Sequence, residues 1–239
     1  MKKLSVFSVI GLCITVVLLF SVFPACDTGV VPVDPADLVG VWIGAGEGAD
    51  EAYAVLLDLS ETEYEYILYE NTGQIEGARG TYTITGNIMT SSLTEVWNNE
   101  TYAWDSETGT DESEVFLDGN EFTMPHMEQE GETVTLTKVS FGNPGTFEDM
   151  WIDPSQNTMA LNADGSYEYH EGEDTSTGDW YATENAANNH YRSIQTQWNG
   201  ADEYYENLYY YEFSDNDNIF TLTWPTAADY IWQRQVIPQ

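Results

Sequence analysis

Gly40-Val41-Trp42, Leu56-Leu57-Asp58-Leu59, Tyr64-Glu65-Tyr66 and Gly80-Thr81-Tyr82-Thr83-Ile84 follow one another between Leu38 and Asn87. Further along, Met150-Trp151-Ile152, Met159-Ala160-Leu161, Tyr167-Glu168-Tyr169 and Gly178-Asp179-Trp180-Tyr181 come in the same order with different loop lengths. The chain writes one pattern twice. Within it the period is two: Val55, Leu57 and Leu59 alternate with Ala54, Leu56 and Asp58, and Tyr64, Tyr66 and Leu68 share one face with Glu63 and Glu65 on the other. Such alternation of Tyr, Val, Ile and Thr with polar residues reads as half-buried antiparallel strands.

Turn signals separate the runs: Asn71-Thr72-Gly73, Thr85-Gly86-Asn87, Asp118-Gly119-Asn120, Asp164-Gly165 and Asn199-Gly200. Apolar residues nowhere hold helical spacing over three turns, so the fold class is all-β. Closing strands repeat as well, with Glu132 to Lys138 ending the first half and Ile219 to Trp224 standing near the end of the second. The turn-rich joint Ser140-Phe141-Gly142-Asn143-Pro144-Gly145 divides them. Two tandem antiparallel meander barrels follow, over 38–141 and 145–239, because curling removes the exposed edges of short strands. One large barrel or sandwich built from both halves is the rival architecture.

Residues 1–25 are read as a signal peptide. Lys2 and Lys3 supply the positive start, and Leu4 to Phe23 is an apolar run. A run of that length also suits a retained transmembrane helix. Phe23-Pro24-Ala25-Cys26 resembles the lipobox of bacterial lipoprotein precursors, with a small residue before the cysteine that receives lipid. The resemblance implies cleavage before Cys26, lipid on its thiol, and membrane attachment through that lipid, each buried methylene adding about 0.8 kcal/mol. Cys13 leaves with the signal, so the mature chain has neither disulfide nor thiol chemistry. Residues 26–37 form a tether in which Pro32 and Pro35 oppose both helix and central strand. Asp27 resembles the inner-membrane retention signal of enteric bacteria, but sorting rules differ between lineages. The expected place is the cell envelope, with the outer membrane favoured over the periplasmic face of the inner one.

After residue 25 only Arg79, Lys138, Arg192 and Arg234 oppose 41 acids, a net charge of −37. Such a chain repels phosphate backbones and anionic headgroups, which excludes nucleic acid as a partner. Adaptation to salty surroundings explains the charge, since screening removes self-repulsion; a calcium store or cation-binding coat is the other reading. An aromatic content of 14% speaks against disorder.

The Gly-x-Trp at Gly40–Trp42, the meander, the Gly80-Thr81-Tyr82-Thr83-Ile84 strand and a basic residue near the last strand resemble the lipocalin-like (calycin-type) domains of bacterial lipoproteins. In that family the first-strand tryptophan packs beneath a cation from the final strand. The resemblance implies that Trp42 meets Lys138 and that Trp151 meets Arg234, closing each barrel, with roughly 0.5–2 kcal/mol of cation–π attraction per pair. Lys138 stands where arginine is more usual, and the second half lacks the glycine two places before its tryptophan.

Catalysis finds little in the chain, which is read as no enzyme and as needing no cofactor. His126, His170 and His190 are scattered, no nucleophile has a recognisable setting, and carboxylates are too many for any pair to mean much. Met124-Pro125-His126-Met127-Glu128 has ligands that suit copper, as in some copper-stress lipoproteins, but reads more simply as a hairpin turn at a proline with flanking core methionines. Asp215-Asn216-Asp217-Asn218 lacks the glycine and distal glutamate of a calcium loop. Neither stretch is taken as a metal site.

The aromatic belt Trp198, Tyr204, Tyr205, Tyr209, Tyr210, Tyr211 and Phe213 flanks the Asn199-Gly200 turn. Strand alternation sends these rings to two faces. Trp198, Tyr204, Tyr205, Tyr209 and Tyr211 are therefore candidates for holding a small apolar or amphipathic ligand; core packing plus an interdomain contact is the plainer use. The functional expectation is a non-catalytic, lipid-anchored envelope lipoprotein binding such a ligand. An envelope surface-interaction or structural protein is the alternative. The oligomeric state is left open.

Overall fold

The computed structural model describes residues 32–47, 52–70, 73–125, 133–183, 189–223 and 230–235. The signal peptide, Cys26, His126, Met127 and Glu128 lie outside the described residues. Among the described residues no helix is long and apolar enough to cross a membrane.

The chain is all-β, as its periodicity demands. The first half holds β1 (Gly40–Glu47), β2 (Ala52–Leu59), β3 (Glu63–Glu70), β4 (Gly73–Thr85) and β5 (Ile88–Asn98). It continues with β6 (Ala103–Glu114), β7 (Phe116–Asp118), β8 (Glu121–Pro125) and β9 (Thr133–Val139). Each strand from β1 to β6 pairs antiparallel with the next. On the other side β7, β8 and β9 pair in turn, and β9 returns to β1 through Val41↔Val139, Trp42↔Lys138 and Ile43↔Thr137. The sheet order is β6-β5-β4-β3-β2-β1-β9-β8-β7. This sheet curls but stays open: among the described residues no ladder joins β6 to β7 or β8.

The second half holds β11 (Asp149–Ile152), β12 (Thr158–Leu161), β13 (Ser166–Glu171) and β14 (Asp174–Thr183). It ends with β15 (His190–Trp198), β16 (Ala201–Ser214), β17 (Ile219–Thr223) and β18 (Tyr230–Arg234). Neighbours pair all the way round, and β18 meets β11 through Trp151↔Arg234 and Ile152↔Gln233. This is a closed eight-stranded barrel. In the joint, the short β10 (Phe141–Gly142) pairs with β14, so the chain has already crossed to the second unit by Phe141.

The tether differs from the expectation at its end. Pro35–Leu38 is a single helical turn, α1. Proline opposes helix in an interior but suits the first helical position, where its missing N–H would be unpaired anyway. Asp34 caps the turn by accepting from the Ala36 amide at 3.0 Å. The turn places Val33 and Leu38 in the core of the first sheet, and Val33 donates its amide to Gly86 at 3.2 Å.

Two glycines explain why the repeated Gly-x-aromatic pattern exists. A Cβ on Gly80 would sit 2.0 Å from the Ser92 carbonyl oxygen, and one on Gly178 would sit 1.9 Å from that of Ile194. Both lie where the pairing register shifts, beside Arg79 in one half and Thr177 in the other. Each β-bulge brings the next strand too close for any side chain.

Candidate functional site

The two ends that the repeat predicts are built alike. Trp42 donates its indole N–H to the Leu38 carbonyl at 2.7 Å, and Trp151 donates to Phe147 at 2.8 Å, four residues back in each case. Lys138 Nζ lies 5.1 Å from the Trp42 ring and donates to the Asp37 carbonyl at 2.9 Å. Arg234 Cζ lies 5.0 Å from the Trp151 ring, and its guanidinium donates to the Thr146 carbonyl at 2.8 Å. Each cation therefore ties the entry segment, the first strand and the last strand together. Its cationic head stays beside the π-face that attracts it.

The barrel interior leaves its aromatic residues little freedom. Phe147 sits inside the second barrel with ring-centroid distances of 5.4 Å to Trp180, 6.0 Å to Tyr191, 4.8 Å to Tyr211, 4.7 Å to Phe213 and 5.0 Å to Phe220. Tyr209 packs against the same cluster. In the first sheet Leu57, Tyr66 and Tyr82 are buried within one apolar cluster. In the second barrel the corresponding landmarks of the repeat, Leu161 and Trp180, are also buried, and Tyr169 is partly so.

The aromatic belt is not one surface. Tyr209 and Tyr211 line the second barrel's core, while Tyr204 and Tyr205 reach the first sheet, 5.4 Å from Trp97 and 6.0 Å from Tyr102 respectively. Trp198 ends β15 opposite Ala201, half-buried at the hairpin. Strand alternation divides the belt, sending Tyr209 and Tyr211 to the second barrel's core and Tyr204 and Tyr205 towards the first sheet.

The contacts of Tyr204 and Tyr205 are the interdomain use of the belt that the sequence allowed; the polar network and apolar patch beside them were not read from it. The outward face of β1, β2 and β3 carries Ile43, Ala54, Leu56, Ile67 and Tyr69, which pack with Leu208 of β16. Beside this patch Glu206 is fully buried and accepts from four groups. Arg192 Nε donates at 2.7 Å and its terminal nitrogen at 3.0 Å, Tyr204 at 2.9 Å, and Tyr69 also donates its hydroxyl. Burial works against the Arg192 charge, but Glu206 and Tyr69 outweigh it and hold its pKa well above the usual value. Burial, and then the Glu206 charge, push the hydroxyls of Tyr69 and Tyr204 up. The sequence held one signal for this face: Ala54-Val55-Leu56-Leu57 and Tyr66-Ile67-Leu68-Tyr69 are apolar without a break. Such runs mark strands buried on both sides.

All four cations that follow residue 25 are thus engaged. Arg79 donates Nε to Glu65 at 2.8 Å and stacks 3.8 Å over Trp104, Arg192 holds Glu206, and Lys138 and Arg234 cover the tryptophans. A cleft of about 420 Å³ on the outside of the first sheet is lined by Asp58, Glu63, Glu65, Arg79, Thr94 and Glu95. Burial raises the Asp58 pKa; Arg192 lowers it and Glu206 raises it further. Among the described residues no group of three or more His, Cys, Asp or Glu side chains could hold a metal ion. Asp215–Asn218 is a tight turn between β16 and β17, with positive φ at its first three residues. No protein-family model, curated protein or solved structure matches the chain.

Proposed function

We propose that this chain is a non-catalytic bacterial envelope lipoprotein, anchored through lipid on Cys26, that works through the acidic outer surface of two lipocalin-like units. The observation that carries this reading is the engagement of every cation after residue 25 with an internal partner, which leaves the carboxylates to dominate the outside. The Phe147 cluster supports it further by occupying the second barrel's interior. Such a surface favours cationic partners and disfavours nucleic acid and anionic lipid. The anchor sets where it acts, on an envelope membrane, with the outer membrane favoured.

A second reading, a small apolar or amphipathic ligand in the first unit, is favoured by the gap along β6. One set of measurements separates the two. Radiolabelled palmitate should enter the wild-type chain in a bacterial host and be absent from Cys26→Ser; equal labelling removes the anchor. Native mass spectrometry of the signal-less protein from its own host should show no co-purifying ligand. Titration with fatty acids should leave tryptophan fluorescence unchanged. A bound lipid-sized mass with quenching transfers the function to the interior.

A further inference from the structure

The first sheet ends on an edge strand that is long and acidic, with one bulge between Ser106 and Gly109. β6 pairs with β5 from Asn98↔Ala103 to Ile88↔Glu114, and among the described residues its other edge carries no ladder. Of its twelve residues only Trp104, Glu107 and Ser113 are even half-buried. The strand carries Asp105, Glu107, Asp111, Glu112 and Glu114, with no lysine, arginine or proline. An open edge presents unpaired N–H and C=O groups to any extended chain that can reach it, and proteins usually block such edges with lysine, proline or a bulge. Here a bulge between Ser106 and Gly109 interrupts the edge, and among the described residues only negative charge guards the stretch that follows it. Two copies of β6 placed side by side would set carboxylate against carboxylate, which disfavours self-pairing.

We infer that β6 is a docking edge for an extended, Lys- or Arg-rich segment of a partner protein, which adds as a further strand beside the regular stretch from Gly109 to Glu114. Main-chain hydrogen bonds along the strand supply affinity, and the alternating carboxylates select for basic side chains. The other faces of the molecule fit the role less well. At the seam between the units Arg192, Tyr69 and Tyr204 are committed to Glu206, and the cleft beside Glu65 has its one cation committed to that glutamate and to Trp104. This inference rests on the outer surface being the working part, and it is independent of the lipid anchor.

The test uses the chain from residue 26 onward with Cys26→Ser, and two decapeptides of alternating lysine and threonine. One is unmodified, and the other is N-methylated at every second residue, so that one of its edges cannot donate. Amide hydrogen exchange is followed along residues 104–114. In the free protein the amides that point away from β5 should exchange fast, and the unmodified peptide should slow them about tenfold. The methylated peptide, with the same charge, should not. Replacing Asp105→Asn, Glu107→Gln, Asp111→Asn and Glu112→Gln together should weaken the unmodified peptide by about tenfold. Equal protection by both peptides reduces the interaction to charge alone and overturns strand addition. Amides already protected in the free protein mean that the chain covers its own edge, which overturns it too. Unchanged affinity in the neutralised variant overturns the selection for basic partners.

Discussion

Tyr69 of the first sheet donates its hydroxyl to Glu206 of the second barrel, across 137 positions of sequence. That carboxylate is also gripped by Arg192 and Tyr204 and has no exposure to solvent. Removing one partner strands the others. Glu206→Ala leaves a buried guanidinium without its counter-charge and should cost about 3–5 kcal/mol. The double replacement Arg192→Met with Glu206→Leu should recover most of that loss, since an apolar pair of similar volume avoids desolvation. Urea unfolding of the two variants checks both. A double variant no more stable than Glu206→Ala would mean that the pair is worth more than its burial costs.

Asp58 gives the molecule a pH dependence of opposite sign to that of a salt-bridged carboxylate. Its pKa is raised above the ordinary aspartate value of 3.8, chiefly by burial. The folded state therefore binds this proton more tightly than the unfolded state does. Its contribution to stability falls as pH rises through the raised pKa and returns as pH falls below it. Asp58→Asn should melt higher than wild type at pH 7, and the difference should shrink as pH drops towards 4. Thermal melts at the two pH values read this directly; a gap that widens in acid would reverse the assignment.

Phe147 and the two closing tryptophans test how full the units are. Trp42→Ala and Trp151→Ala remove fully buried indoles and should each cost about 3–5 kcal/mol. Phe147→Ala should cost a similar amount. It should also open a dry space in the second barrel that takes up a small apolar molecule, seen as a melting temperature raised by benzene in the variant but not in wild type. A wild-type response to benzene of the same size would mean that the barrel already has room.

The paired glycines should be far less replaceable than those in turns. Gly178→Ala drives a methyl into the Ile194 carbonyl and Gly80→Ala into that of Ser92, so both should unfold or strongly destabilise the protein. Gly172→Ala meets nothing within 4 Å and carries only the strain of a positive φ of 62°, a cost of about 1 kcal/mol. Expression and melting of the three variants rank them. Equal losses would show that the close carbonyls relax at little cost.

Much of this was legible from the chain because it is local or repeated. The resemblance pairs Trp42 with Lys138 and Trp151 with Arg234, and in the structure each cation lies about 5 Å from its tryptophan ring. Period-two runs marked the strands, while the bulges at Gly80 and Gly178 became visible only with the pairing register. What stayed hidden depends on pairings that no period encodes. Tyr69, Arg192 and Glu206 read singly as a strand tyrosine and two surface charges, and only the docking of the outward faces makes them one network. The opening along β6 was hidden for the same reason. A polar strand in a meander looks the same whether its next neighbour is three residues away or missing.

The confinement of all four cations has a consequence for copies of this protein among themselves. With Arg192 buried and the other three cations each engaged within the molecule, one copy offers another little to which its own carboxylates can adhere. Neighbours gathered on a common surface should therefore keep a spacing set by ionic strength, near the screening length of about 8–10 Å in physiological salt and several times that in dilute solution. Crowding such molecules is resisted by a pressure that dilution raises, so a dense layer of them would swell in fresh water and settle in brine.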